Sequence, residues 1–154
     1  MADENGMIGL LHDELDCTKD FVQYLMREFK TQHINSVTYS IAGDSETAAK
    51  NVKLAKTCSV ICVVLASLVA VHGEERCKLL NAGLEEQSFK NRTILVLEET
   101  LDGNAGANSS FKQLKKTEGL LHREKCPVRN FASWKEEKKQ KLAQKLLEKA
   151  RNML

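Results

Sequence analysis

Cys58-Ser59-Val60-Ile61-Cys62-Val63-Val64-Leu65-Ala66 decides the fold, because only Ser59 interrupts its apolar character. A run this short and continuous reads as a strand covered on both faces, the kind found at the centre of a parallel sheet. With Ser67 inside it, the apolar stretch extends to Val71. That remains too short for the ~20 residues of a membrane-crossing helix.

Outward from this strand, segments of helical period alternate with runs of strand length, the pattern of βαβ units. Upstream, Ala48, Val52 and Ala55 share one side of a short helix that Ser45 is expected to cap, after the break at Gly43-Asp44-Ser45. Ile34 to Ile41 alternates apolar and polar residues, as a strand nearer the sheet edge does. Met7 to Leu11 is the first strand. Asp13 and Asp16 then favour a helix start, and Phe21, Val22, Leu25 and Phe29 make the apolar face of that helix.

Downstream, Cys77, Leu80 and Leu84 repeat with helical spacing between Glu74 and Phe89, and Thr93 to Leu97 is another buried-type strand. Asp102 to Asn108 is rich in turn formers, and Ser110 with Gln113 could cap a short helix. Continuing the alternation places a fifth strand about Leu120-Leu121-His122. Ser133-x-x-Glu136 reads as a capping box for a closing helix whose inward stripe is Leu142, Ala143, Leu146, Leu147, Ala150 and Leu154. The expectation is one α/β domain over residues 1–154: a five-stranded parallel sheet with helices on both faces.

Composition narrows the function. An apolar share of 42% supports one core, and only 5% aromatic residues leaves no stacking platform for single-stranded nucleic acid. The acidic, polar opening Met1-Ala2-Asp3-Glu4-Asn5-Gly6 lacks the pattern of a secretory signal, so a cytoplasmic location is expected. Five cysteines, with no Cys-x-x-Cys pair, read as reduced core thiols; His12, His33, His72 and His122 stand singly, so no metal site is expected. The net charge is only +2, but it is uneven: from Lys112 onward 13 Lys and Arg face 5 Asp and Glu, a net of +8, against 10 and 16 before it, a net of −6. Lys135, Lys138, Lys139, Lys141, Lys145 and Lys149 give the closing helix a basic surface suited to an acidic partner, an anionic membrane surface or nucleic acid, although solvation alone accounts for many such faces.

Ligands of doubly wound sheets sit at the carboxyl ends of the strands. After the first strand the chain reads Leu11-His12-Asp13-Glu14 where a dinucleotide-binding turn needs glycines, and no phosphate-binding loop of the Walker type occurs. The acidic pair resembles that of a receiver domain, but the third strand ends in Ala66-Ser67 with no aspartate to accept a phosphoryl group. Asp13, Glu14 and Asp16 therefore read as solvated residues at a helix start. Ser67 or Cys77 with His72 is the nearest approach to a nucleophile and base; Ser67 has no nucleophile elbow and Cys77 falls on an apolar stripe.

The order of elements resembles the Toll/interleukin-receptor (TIR) domain family, with its flavodoxin-like three-layer sandwich. Met7 to Glu14 leading into Phe21-Val22-Gln23-Tyr24-Leu25 is similar to that family's opening strand, acidic turn and first helix. Asn51 to Leu65 is similar to its short helix feeding the central strand, Arg92 to Leu97 resembles its fourth strand, and Phe131-Ala132-Ser133-Trp134 resembles its Phe-Trp box. Within the family the likeness leans to the divergent TIR-like domains of cytosolic signalling adaptors.

The resemblance implies an interaction loop at Ala42, Gly43, Asp44, Ser45 and Glu46, although the family's usual Arg-Asp and Pro-Gly pairs are missing there. It implies association with other TIR-like or signalling proteins, or with another copy, in innate-immune-like signalling. Members that cleave NAD use a glutamate that falls here on Lys78 or Leu79, with Glu74 and Glu75 about a turn early. The expected function is accordingly a non-catalytic adaptor or interaction domain, with no cofactor and no small-molecule substrate. The alternatives are an NAD glycohydrolase using Glu74 or Glu75, and a basic-surface binder of anionic lipid or nucleic acid.

Overall fold

Two opposed sets of side chains on each strand dictate the layering. In a computed structural model that describes residues 7–65, 79, 82, 91–97 and 131–153, the strands are β1 (Ile8–His12), β2 (Ser36–Ser40), β3 (Val60–Leu65) and β4 (Thr93–Leu97), and all pair in parallel in the order β2-β1-β3-β4. Val60, Cys62 and Val64 turn to one core; Ile61, Val63 and Leu65 turn to another. The continuous apolar run of β3 follows from this: both of its faces are covered. Strand β2 ends the order and is only half-buried, the edge position its alternation predicts.

Helices α1 (Asp16–Thr31) and α3 (Glu136–Met153) cover the first face, packing Phe21, Val22, Leu25 and Phe29 and the stripe from Leu142 to Ala150 on Ile8, Leu10 and Val96. Helix α2 (Ser45–Ala55) covers the second with Val52 and Ala55, joined by Leu79. Four strands lie among the described residues; the fifth, expected about Leu120 to His122, lies outside them, as do Ser67, His72 and Cys77.

Gly9 shows how closely α2 seats. A Cβ built there would lie 2.8 Å from Cys58 Sγ and 3.2 Å from Cys58 Cβ, so the missing side chain is what lets the end of α2 approach the sheet. Arg92 ties the same corner, donating from Nη1 to Cys58 O and from Nη2 to Lys56 O at 3.0 Å. Helix α1 ends in a Schellman motif: Ile34 N–H donates to Phe29 O at 2.9 Å and His33 N–H to Lys30 O at 3.0 Å, with His33 left-handed at φ 61°.

Two capping expectations are corrected. Asp44, not Ser45, caps α2, its Oδ1 accepting from Thr47 N–H at 2.7 Å, because Gly43 at φ 89° delivers the chain one residue earlier than expected. Glu136 is the first residue of α3 rather than the third, and its Oε1 accepts from Tyr24 O–H at 3.0 Å, a partner far away in sequence.

Candidate functional site

The carboxyl ends of β1 and β2 meet through Ser40. Glu14, just past β1, hydrogen-bonds the Ser40 side chain and pairs with Lys19 at 3.0 Å; these two contacts, the Ser40 bond first, hold its carboxyl below the usual range. Ser40 Oγ also accepts from Ala42 N–H at 3.0 Å, and Ser40 O accepts from Asn51 Nδ2 at 2.7 Å. The turn after β1 and the loop after β2 are therefore braced against each other.

The expected interaction loop is in part helix: Ala42, half-buried against the α2 face, Gly43 and Asp44 lie between β2 and α2, whereas Ser45 and Glu46 are the first two residues of α2; Gly43 to Glu46 are exposed. The Asp44 carboxyl is held below its ordinary value by the Thr47 backbone N–H and then by the Thr47 hydroxyl, which donates to Oδ2 at 3.1 Å. The loop offers two carboxylates in a shape set by local hydrogen bonds.

Asp13 corrects an expectation: it is fully buried, not solvated, and its Oδ1 accepts from Leu15 N–H at 3.0 Å while its own N–H reaches Val64 O at 3.4 Å. Glu14 and Asp16 are exposed as expected. His12 Nδ1 lies 2.8 Å from Asp13 O; since a carbonyl only accepts, Nδ1 carries the proton. Among the described residues no three His, Cys, Asp or Glu side chains come together to hold a metal ion. Leu79, one of the two positions where the resemblance puts a catalytic glutamate, packs its side chain on the second core, while Glu74, Glu75 and Lys78 lie outside the described residues.

Comparison with protein families, curated proteins and solved structures gives no match.

On the other face of the sheet lies the basic surface. Lys135, Lys138, Lys141 and Lys145 are exposed, and Lys139 and Lys149 are half-buried. The ammoniums do not simply point to water: Lys138 Nζ sits 4.0 Å above the Trp134 ring and Lys139 Nζ 5.2 Å above Phe131. Trp134, Lys138, Lys141, Leu142 and Lys145 line a shallow groove of about 290 Å³. Sequence reasoning missed Trp134 as part of this surface, because Trp134 precedes α3 and no helical spacing ties it to Lys138; the bend after Phe131–Ser133 brings the ring under the ammonium. Phe131 itself is buried, its ring centroid 4.8 Å from that of Phe21 in a tilted pair and 5.2 Å from that of Tyr24 edge to face, and this anchors the chain just before α3. Because α2 and α3 cover opposite faces, the Ala42–Glu46 loop and the basic stripe form two surfaces rather than one site.

Proposed function

We propose that this chain is a non-catalytic signalling adaptor or interaction domain of the TIR-like kind, acting in the cytoplasm in innate-immune-like signalling through association with other TIR-like or signalling proteins or with its own copies. The supporting observation is the Ala42–Glu46 loop, exposed from Gly43 onward yet held by Ser40, Asp44 and Asn51. An exposed segment already in one shape loses little conformational freedom on docking. The parallel order β2-β1-β3-β4 with helices on both faces agrees with the coarse likeness, and the proposal adds a fifth strand in a flavodoxin-like arrangement.

The test is sedimentation velocity over a concentration series, with capture assays on TIR-like domains, for the parent and Glu46→Lys. Association lost in the variant while its melt is unchanged supports the reading. A protein that stays monomeric, captures nothing and is indifferent to the loop change overturns it.

A second reading, binding to an anionic membrane surface, is favoured by the Trp134 groove with Lys138, Lys141 and Lys145 around an apolar floor at Leu142. Exposed charges of one sign confer salt sensitivity more than affinity. Cosedimentation with phosphatidylserine-containing vesicles, absent with phosphatidylcholine alone and lost at high salt or in Lys138→Glu/Lys141→Glu, supports it. Equal sedimentation in all arms leaves the stripe a solvated face.

A further inference from the structure

Strand β2 is an edge whose hydrogen-bonding groups have somewhere to go. The β1–β2 ladder is bracketed by Ile8 N–H donating to Asn35 O at 2.9 Å and Ile41 N–H donating to His12 O at 3.0 Å. In a parallel ladder a residue turns both its N–H and its C=O to the same side, and successive residues alternate. Val37 and Tyr39 therefore face β1, and the N–H and C=O of Ser36 and Thr38 face outward. Asn51 Nδ2 takes up the next outward carbonyl, that of Ser40, so the open edge ends there. Among the described residues no strand lies beyond β2.

Alongside this edge runs a groove against α1. Its upper part, about 200 Å³, is lined by His12, Lys19, Val22, Gln23, Met26 and Thr38; its lower part, about 240 Å³, by Met26, Arg27, Lys30, Ile34, Asn35 and Ser36. Met26 lines both parts and stands at the boundary between them. Ser36 and Thr38 turn their side chains into the groove and their backbones to the open edge, which places an apolar floor and a row of backbone groups side by side. The five residues of β2 span about 17 Å, enough for an extended segment of similar length.

Charge selects the occupant. Lys19, Arg27 and Lys30 stand along the α1 side, and Glu14 on Lys19 is the one carboxylate paired with them in the structure's ion pairs among the described residues. A second copy added edge to edge about a two-fold axis would bring two such cationic rims together on one face, which is unfavourable. We infer that the outer edge of β2 and the α1 groove form a docking strip for an extended acidic segment of a partner protein, which joins the sheet as an added strand with alternate apolar side chains over Met26 and carboxylates toward Arg27 and Lys30. Strand addition of this kind draws affinity from the main chain and specificity from alternate side chains. The strip is independent of the Ala42–Glu46 loop and of the function proposed above.

The probe is a fluorescein-labelled peptide of roughly eight alternating valine and glutamate residues, longer than the edge it must cover. Fluorescence anisotropy compares it with a valine–lysine peptide and with a valine–glutamate peptide N-methylated at alternate residues on either edge. The expected result is binding of the acidic peptide only, weakened about tenfold by Thr38→Pro, since proline is tolerated where an edge N–H faces solvent but cannot donate to an added strand. Lys30→Glu should weaken it as well, and Glu46→Lys should leave it unchanged. If Thr38→Pro does not fold, the N-methylated peptides on the parent protein carry the test. Failure of the acidic peptide to bind, equal binding of the lysine peptide, or undiminished binding of both N-methylated peptides overturns the inference.

Discussion

Replacing Gly9 by alanine tests whether the approach of α2 to the sheet is the reason a glycine sits inside β1. The added Cβ would lie 2.8 Å from Cys58 Sγ, 3.2 Å from Cys58 Cβ and 3.6 Å from Ala55 O. The sulfur alone could swing away, but Cys58 is buried and its Cβ moves only with the backbone that Arg92 holds. Overpacking of this sort costs about 1–3 kcal/mol. Removing a glycine from a strand interior returns about 0.5–1 kcal/mol, so the net loss should centre on about 1 kcal/mol and stay below about 2.5 kcal/mol. For a chain of this length a loss of about 1 kcal/mol lowers the melting temperature by roughly 2–4 °C. Urea unfolding followed by circular dichroism measures the loss, and the Gly9→Ala/Cys58→Ala pair supplies the control. With the sulfur gone the double variant should be more stable than the sum of the single changes, by about 1 kcal/mol of coupling. If Gly9→Ala equals the parent, or the two changes simply add, close seating of α2 is not what Gly9 permits.

Three further outcomes are expected. His33→Gly should raise stability by about 0.5–1 kcal/mol in urea unfolding, because His33 is exposed and held at φ 61°, where glycine carries no steric penalty; a loss instead would mean the imidazole makes contacts that matter more than the backbone. Tyr24 is pushed up to about 12, by burial first and then by its bond to Glu136, so folding favours the neutral phenol: that stabilisation is whole below the ordinary value of 10.0 and is lost as pH rises toward 12. Alkaline unfolding of the parent and Tyr24→Phe should consequently diverge between those limits, and identical profiles would remove Tyr24 as the cause. Purified protein should release no nicotinamide from NAD; release that Glu74→Ala or Glu75→Ala abolishes would establish the glycohydrolase instead.

Local pattern was sufficient wherever a residue's environment follows from its neighbours in the chain. Val60 to Leu65, within the apolar run that begins at Cys58, is β3 because a segment with no polar side must be covered on both sides. The stripe of α1, and that of α3 from Leu142 to Ala150, are buried as their spacing requires, since a helix can hide only the face its period makes continuous; Leu154 lies outside the described residues. The absence of glycine-rich phosphate loops was equally legible, because such loops are contiguous in sequence. The break at Gly43-Asp44-Ser45 was legible in the same way, and the chain does turn there from β2 into α2.

Elsewhere the deciding partner is distant in sequence, and only the tertiary structure names it. Asp13 looks like a solvated helix-start residue until the ends of β1 and β3 close around it. Glu136 fits a capping box until Tyr24, brought across by the packing of α1 on α3, takes its carboxylate. Trp134 joins the basic surface because Phe131 is anchored among the aromatic residues of α1, which sets how the helix begins. The open edge of β2 depends on strand order: an alternating strand reads the same whether or not another strand pairs with its outer side, and the order β2-β1-β3-β4 arises from packing helices on two faces, a property of the whole fold.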